Sequence, residues 1–407
     1  MSTEPLLIVA DHVAGRVTVL TVPGGTQVAA LEGRHVSEHA GFLALPGGRI
    51  ACVDDLRGEL LVLDPGAARA GRPLLTATAP VAVPAEHLAA DTGAEHVVVT
   101  TGLGAHEEPW SELVTAVELN TGRAVRSRIR AGEPGVTLAG PGAGALALLR
   151  HRAPGELAAF PLASLLDAGP GCPHRIPAAR APLPDDGHGD AYDPVTGRVF
   201  AATGAGVHRV RVTGGALAPE PPLPWRCAGR GYFLRVDARR RLLWSCVRGG
   251  PDAPSRWPEW SNTAWCHALD TGRTEHVELG PGLVFRMALA RHAVAFTRIH
   301  PDGDELVLVD TTGERPAVTA RRPLPPMAGA PRRGGTPWDS VQRRAVAASP
   351  GADWVAVSRG GHGEVALFDA RAGEQRALLR TGTPLDEGGR LAMVRPGDGA
   401  SGDTVGR

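Results

Sequence analysis

The chain has 407 residues, 43% of them hydrophobic, and its 43 acidic residues balance 43 Lys and Arg to a formal net charge of zero. No overall field therefore draws it to nucleic acid or to an anionic membrane. The sequence holds no lysine at all, so Schiff-base or amine general-base chemistry by lysine is excluded.

In chain order, the first residues, MSTEPLLIVAD, have neither a basic start nor a long apolar stretch, so they do not read as a secretory signal. No apolar run reaches the roughly 18 residues that span a bilayer, and the expected location is the cytoplasm. From there the chain is a succession of short runs rich in β-branched residues, separated by Gly, Pro, Asp and Asn. They include LLIVAD, RVTVLTV, RIACVDD, ELLVLD, HVVVTTG, LVTAVEL, ALALLR, RVFAATG, VHRVRV, RLLWSC, AVAFTR, ELVLVD, WVAVS and EVALFD. Each is a strand signature bounded by turn chemistry. A second regularity is an Asp or Asn at a strand end with a Gly soon after, as in VELNTGRAV, HALDTGRTEHV, LVDTTGERPAV and LFDARAGEQRAL. Such an acid caps its own turn, and the Gly takes the left-handed position that closes a hairpin. The five cysteines form no CxxC pair, so neither a zinc ribbon nor a disulfide framework is expected.

The repeats divide into eight units. Seven, at about 38–79, 85–131, 135–181, 186–225, 230–280, 283–325 and 341–381, read as four strands each; the first, about 5–33, reads as three. The missing strand has a candidate at the far end, GRLAMVRP from Gly389 to Pro396. The predicted fold is an all-β propeller of eight four-stranded blades, with seven as the alternative count. The C-terminal strand closes the ring, which removes the unpaired edges. Residues 1–396 form the domain and 397–407 are expected to be a disordered tail. The first unit, LLIVADHVAGRVTVLTVPGGTQVAAL, and the last, WVAVSRGGHGEVALFDARAGEQRALL, resemble blades of bacterial YVTN/YncE-type and WD40-like propellers. The resemblance implies that fold; the families it names include scaffolds, lactonases, lyases and cofactor binders, so function rests on the site.

Aligned on their second strands, the units place His39, His87 and His188 at nearly one position, with Tyr232, Arg286 and Gln342 near it and Glu38, Glu86, Asp186 and Asp190 beside them. This column is expected to line one rim of the central channel. A wet channel suits such side chains. The sharper reading is a divalent metal held by Glu38, His39, Glu86 and His87, or acid–base chemistry by His39, His87, His188, Asp190 and Tyr232. Trp110, Trp257, Trp260 and Trp338 fall in three long loops on that same face, with Arg332 and Arg333. Aromatics in long loops on a rigid scaffold are where binding concentrates, although such residues also pin their own loops. The expected function is a monomeric binding scaffold for a protein segment or small ligand on this face, without a firmly implied cofactor. The alternative is a metal-dependent lactonase- or lyase-like enzyme at the channel mouth.

Overall fold

A computed structural model describes residues 4–102, 112–132, 134–167, 169, 171–395 and 404–405. Among them, eight antiparallel sheets follow one another along the chain. Blade 1 carries Leu6–Asp11, Arg16–Thr21 and Gln27–Glu32 from the first unit, and its innermost strand is Arg390–Val394. The closing register runs from Leu6 opposite Val394 to Ala10 opposite Arg390. Blades 2 to 8 begin on inner strands Phe42–Leu45, Ala85–Ala90, Gly135–Ala139, Asp190–Asp193, Arg230–Gly231 with Arg235–Asp237, Leu283–Leu289 and Val346–Ala348. The eight-bladed wheel and its C-terminal closure are as the repeats predict. Thr404–Val405 adds to the inner edge of Phe42–Leu45.

Second strands are buried along most of their length, and throughout in Leu6–Asp11 and His96–Thr101, because sheets cover both of their faces. Outer strands alternate, as in Ala317–Pro323, where alternate side chains meet solvent. One apolar cluster fills each gap between consecutive blades. Leu7, Val9, Leu391 and Met393 of blade 1, for example, pack on Ala356 and Leu367 of blade 8. A further cluster stands outside this series: Trp257, Trp260, Leu283, Ile299 and Met327, with Trp338 packed against it.

The Asp/Asn-to-Gly turns form as expected at Gly122, Gly272 and Gly373, each with φ between 68° and 74°. The Gly373 amide donates to the Asp369 carbonyl at 2.8 Å. Gly313 differs. The turn after Asp310 closes instead through Thr312, whose amide donates to Asp310 Oδ1 at 3.0 Å. All five cysteines are free. Burial pushes the thiols of Cys52, Cys246 and Cys266 up to about 12, so none of these three is poised as a nucleophile. Among the described residues, no helix is long and apolar enough to cross a membrane.

Candidate functional site at the channel mouth

Every inner strand starts on one face of the wheel, and the turns joining second to third strands emerge there too. The residues just before or just inside the inner strands therefore converge on the channel mouth. They form two arcs.

The first arc is ionic and spans the ring seam. His12 lies in the turn after Leu6–Asp11, Glu38 precedes blade 2, Arg343 precedes blade 8, and Glu387 and Arg390 open the closing strand. Asp11 ties two of these turns together: Oδ1 accepts from the Ala14 amide and Oδ2 from the Leu385 amide, both at 2.8 Å. Leu385 and Glu387 sit at φ 55° and 56°, left-handed values rare outside glycine. Such strain persists only where surrounding contacts enforce it. Gly388 is required here because a Cβ at that position would stand 2.6 Å from the Arg343 carbonyl.

Arg343 bridges the two acids, with Nη1 at 2.9 Å from Glu38 Oε1 and Nη2 at 3.2 Å from Glu387 Oε2. Arg390, 2% exposed, lies 3.8 Å from Glu38 and also donates to its carbonyl. Burial pushes the Glu38 carboxyl up, but Arg343, Arg390 and His39 outweigh it, so its pKa falls below the ordinary value. His12 Nε2 stands 3.5 Å from Glu387. Burial first and Arg390 second push the His12 pKa down, against the two glutamates, so His12 is neutral near pH 7. The ligand atoms of His12, Glu38 and Glu387 lie within 4.8 Å of one another.

The second arc is aromatic. The His188 ring meets Tyr232 edge-on at 5.1 Å. The Arg248 guanidinium is sandwiched between Tyr232, at 4.0 Å, and Trp260, at 4.2 Å. Trp260 stacks on Trp338 at 5.9 Å and 21°. Cation–π and stacking contacts of this kind stiffen a wall by about 0.5–2 kcal/mol each.

The arcs meet at blade 7. A small, partly open cavity is lined by Leu283, Phe285, Arg286, Thr297, Ile299, Pro337, Trp338, Arg343 and Arg344. The strand Leu283–Leu289 carries a bulge between Val284 and Arg286, which changes which side chains face outward. Phe285 is left 44% exposed while Arg286 is only 3% exposed. The same irregularity occurs between Ala85 and His87 in blade 3, at Glu86.

The three guanidiniums of the cavity differ in what holds them. Arg344 Nε pairs with Asp304 at 2.7 Å and its other nitrogens reach the Ser358 and Pro325 carbonyls. Arg343 is spread across Glu38 and Glu387. Arg286 Nη1 is shielded from solvent and has no hydrogen-bond partner among the described residues. Burial first, then Arg390 and Arg343, push the Arg286 pKa well below the ordinary value, with Glu38 opposing.

The four residues expected to hold a metal do not form one compact group. His39, with its side chain 62% exposed, lies 3.7 Å from Glu86, and His87 lies 4.0 Å from Glu86, while Glu38 is drawn toward Arg343. Asp190 pairs with buried Arg150 at 3.3 Å, and Asp186 stands 3.6 Å from Arg230. Gln342 donates to Asp386 at 3.0 Å. Trp257 is fully buried, with its indole N–H 3.4 Å from the Arg332 carbonyl. Trp260 is 4% exposed. Both pin loops, whereas half-buried Trp338 lines the cavity. Arg333 pairs with Asp302 at 2.7 Å and Arg332 is exposed. Trp110 lies outside the described residues. Sequence reasoning did not single out His12, Arg343, Glu387 or Arg390. Aligning the closing strand with the other inner strands brings Arg390 to the phase of the column, which is the signal that was present.

No protein-family model matches the chain, and no curated protein matches it. Solved structures do. Apo AztD from Citrobacter koseri superposes with a TM-score of 0.65 at 12% identity, over 97% of this chain and 98% of that one. The dihydro-heme d1 dehydrogenase NirN, in complex with DHE, gives 0.61 at 14% identity, over 93% and 74%. The C-terminal WD40 domain of Sif2 gives 0.56 at 9%, over 88% and 90%. At these identities the likeness is one of fold: a WD40-like β-propeller.

Proposed function

We propose that this protein is a propeller-type binding protein that takes a small ligand at the channel mouth, in the cavity between the start of blade 7 and the segment leading into blade 8. The observation that carries this reading is the cavity itself. Phe285 stands 44% exposed on a bulged inner strand and shares the cavity lining with Trp338, which stacks on Trp260 at 5.9 Å. An exposed phenyl ring, a braced indole and apolar Leu283 and Ile299 lining one cavity make a small-molecule wall with low ordering cost on binding.

The metal-enzyme reading rests on His12, Glu38 and Glu387, and their surroundings argue against it. Arg343 and Arg390 already neutralise the two carboxylates, and a divalent ion would have to displace them against two guanidinium charges. The cysteines with raised pKa and the pairing of Asp190 to Arg150 leave no activated nucleophile among these groups.

Equilibrium titration of the full chain with 2-naphthamide and 2-naphthoate, followed by tryptophan fluorescence, tests the binding reading. Trp338→Ala is expected to lower the affinity of both at least tenfold while moving the melting temperature by less than about 2 °C, the size of a single stacking contact. Absence of binding by either probe, or binding that ignores Trp338→Ala, refutes it.

A further inference from the structure

The walls of the cavity are charged as well as apolar, and an assignment of ligand class from those charges rests on the binding function just proposed. A buried guanidinium is costly unless paired and hydrogen-bonded. Arg344 has its carboxylate, Asp304, at 2.7 Å, and Arg343 has two, Glu38 and Glu387. Arg286 is as buried as a core residue, at 3% exposure, yet its Nη1 has no acceptor among the described residues. Among those residues no carboxylate lies within the 4.0 Å of an ion pair from it. The strand bulge sets it beside Phe285 in the wall of the cavity.

The charges acting on Arg286 do not cancel. Arg390 and Arg343 stand against Glu38 alone, and Glu38 and Glu387 are already held by Arg343. Positive charge is therefore in excess at Arg286, whose Nη1 lacks an acceptor among the described residues. A single carboxylate matches it, since a guanidinium presents a planar fork that fits two carboxylate oxygens. A phosphate dianion would overcompensate in a partly desolvated site.

We propose that Arg286 is the anion-recognising residue of this cavity, and that the ligand is a small monocarboxylate with a planar apolar body: the carboxylate on Arg286, the body between Phe285 and Trp338. The unpaired arginine is then a stability cost held in place for binding.

The full chain is titrated by calorimetry with 2-naphthoate, 2-naphthamide and 2-naphthyl phosphate at low and at 0.5 M salt. Naphthoate is expected to bind about 10- to 100-fold tighter than the neutral amide, the range for a hydrogen-bonded charged partner, and tighter than the phosphate. Its advantage over the amide should shrink with salt. Arg286→Met should bring naphthoate to the level of the amide and raise the melting temperature, which a structural arginine would not do. If Arg286→Met does not fold, Arg286→Gln and the salt series on the wild type carry the same test. Equal affinity of naphthoate and amide, untouched by Arg286→Met, overturns the carboxylate assignment and leaves the small-ligand reading standing. Tighter binding of the phosphate, or of a peptide C-terminus while no naphthyl probe binds, overturns the ligand class. Failure of every probe overturns both readings.

Discussion

Leu391→Ala tests the ring closure. Leu391 is fully buried in the innermost strand of blade 1 and packs into the gap with blade 8. Leu→Ala at such a site costs about 2–5 kcal/mol, because the lost transfer energy is joined by a cavity that rigid strands do not refill. An unfolding entropy of about 2.1 cal/mol/K per residue gives roughly 0.85 kcal/mol/K for a chain of this length. The expected fall in melting temperature is therefore about 2–6 °C. Leu378→Ala, on the outer strand Gln375–Arg380 and 48% exposed, is the control and should shift it by less than about 1 °C. Calorimetric melts of the three proteins measure this. A chain ending at residue 388 goes further, since Leu6–Asp11 would then present a bare, apolar inner edge; it should elute as oligomers or fail to stay soluble. A Leu391→Ala melt indistinguishable from wild type would show that the closing strand is not part of the cooperative fold.

Three further outcomes are expected. Trp257→Ala should cost about 3–5 kcal/mol of stability, because the indole is fully buried in the loop cluster; a melt like that of Trp338→Ala would refute its pinning role. Burial first, then Arg130, Arg150 and Arg180, hold His151 at about 3 in the folded protein. The unfolded chain therefore takes up this proton first as pH falls below about 6.5, and the folded state loses up to roughly 1.4 kcal/mol per pH unit from there toward pH 3. Urea midpoints at pH 7 and pH 5 should fall less in His151→Gln than in wild type, and parallel shifts would exclude the assignment. Zinc should raise the melting temperature of the wild type no more than chelator lowers it, within about 1 °C, whereas a stoichiometric stabilisation of several degrees would restore the metal reading at His12, Glu38 and Glu387.

The wheel was legible because its signals are local and repeated. Asp310 and Asp369 end strands in phase, and Gly122, Gly272 and Gly373 close turns in the expected conformation. The three-strand first unit pointed to a strand elsewhere, and GRLAMVRP supplied it. The mouth was legible only in part. Column positions such as Arg286 follow from blade phase, but partnership does not. That Arg344 is paired depends on Asp304 reaching it from blade 7, the blade that also carries Arg286. His12 sits in a turn outside the column's phase, and nothing in its neighbours marks it. The burial of Trp257 and the half-exposure of Trp338 come from how two loops fold on each other, which no single stretch of residues encodes.

Asp11 has one oxygen on the turn that carries His12 and the other on the segment that carries Glu387. Two stretches of backbone, 374 positions apart at Leu385, thus share one acid as a common anchor. Arg343 of the cavity lining pairs with Glu387 on that segment, so this side of the rim is braced only when head and tail have found each other. Any guest that prefers the finished rim must therefore strengthen the junction by its own binding free energy, and a chain whose ends have parted would lose its guest before it lost its blades.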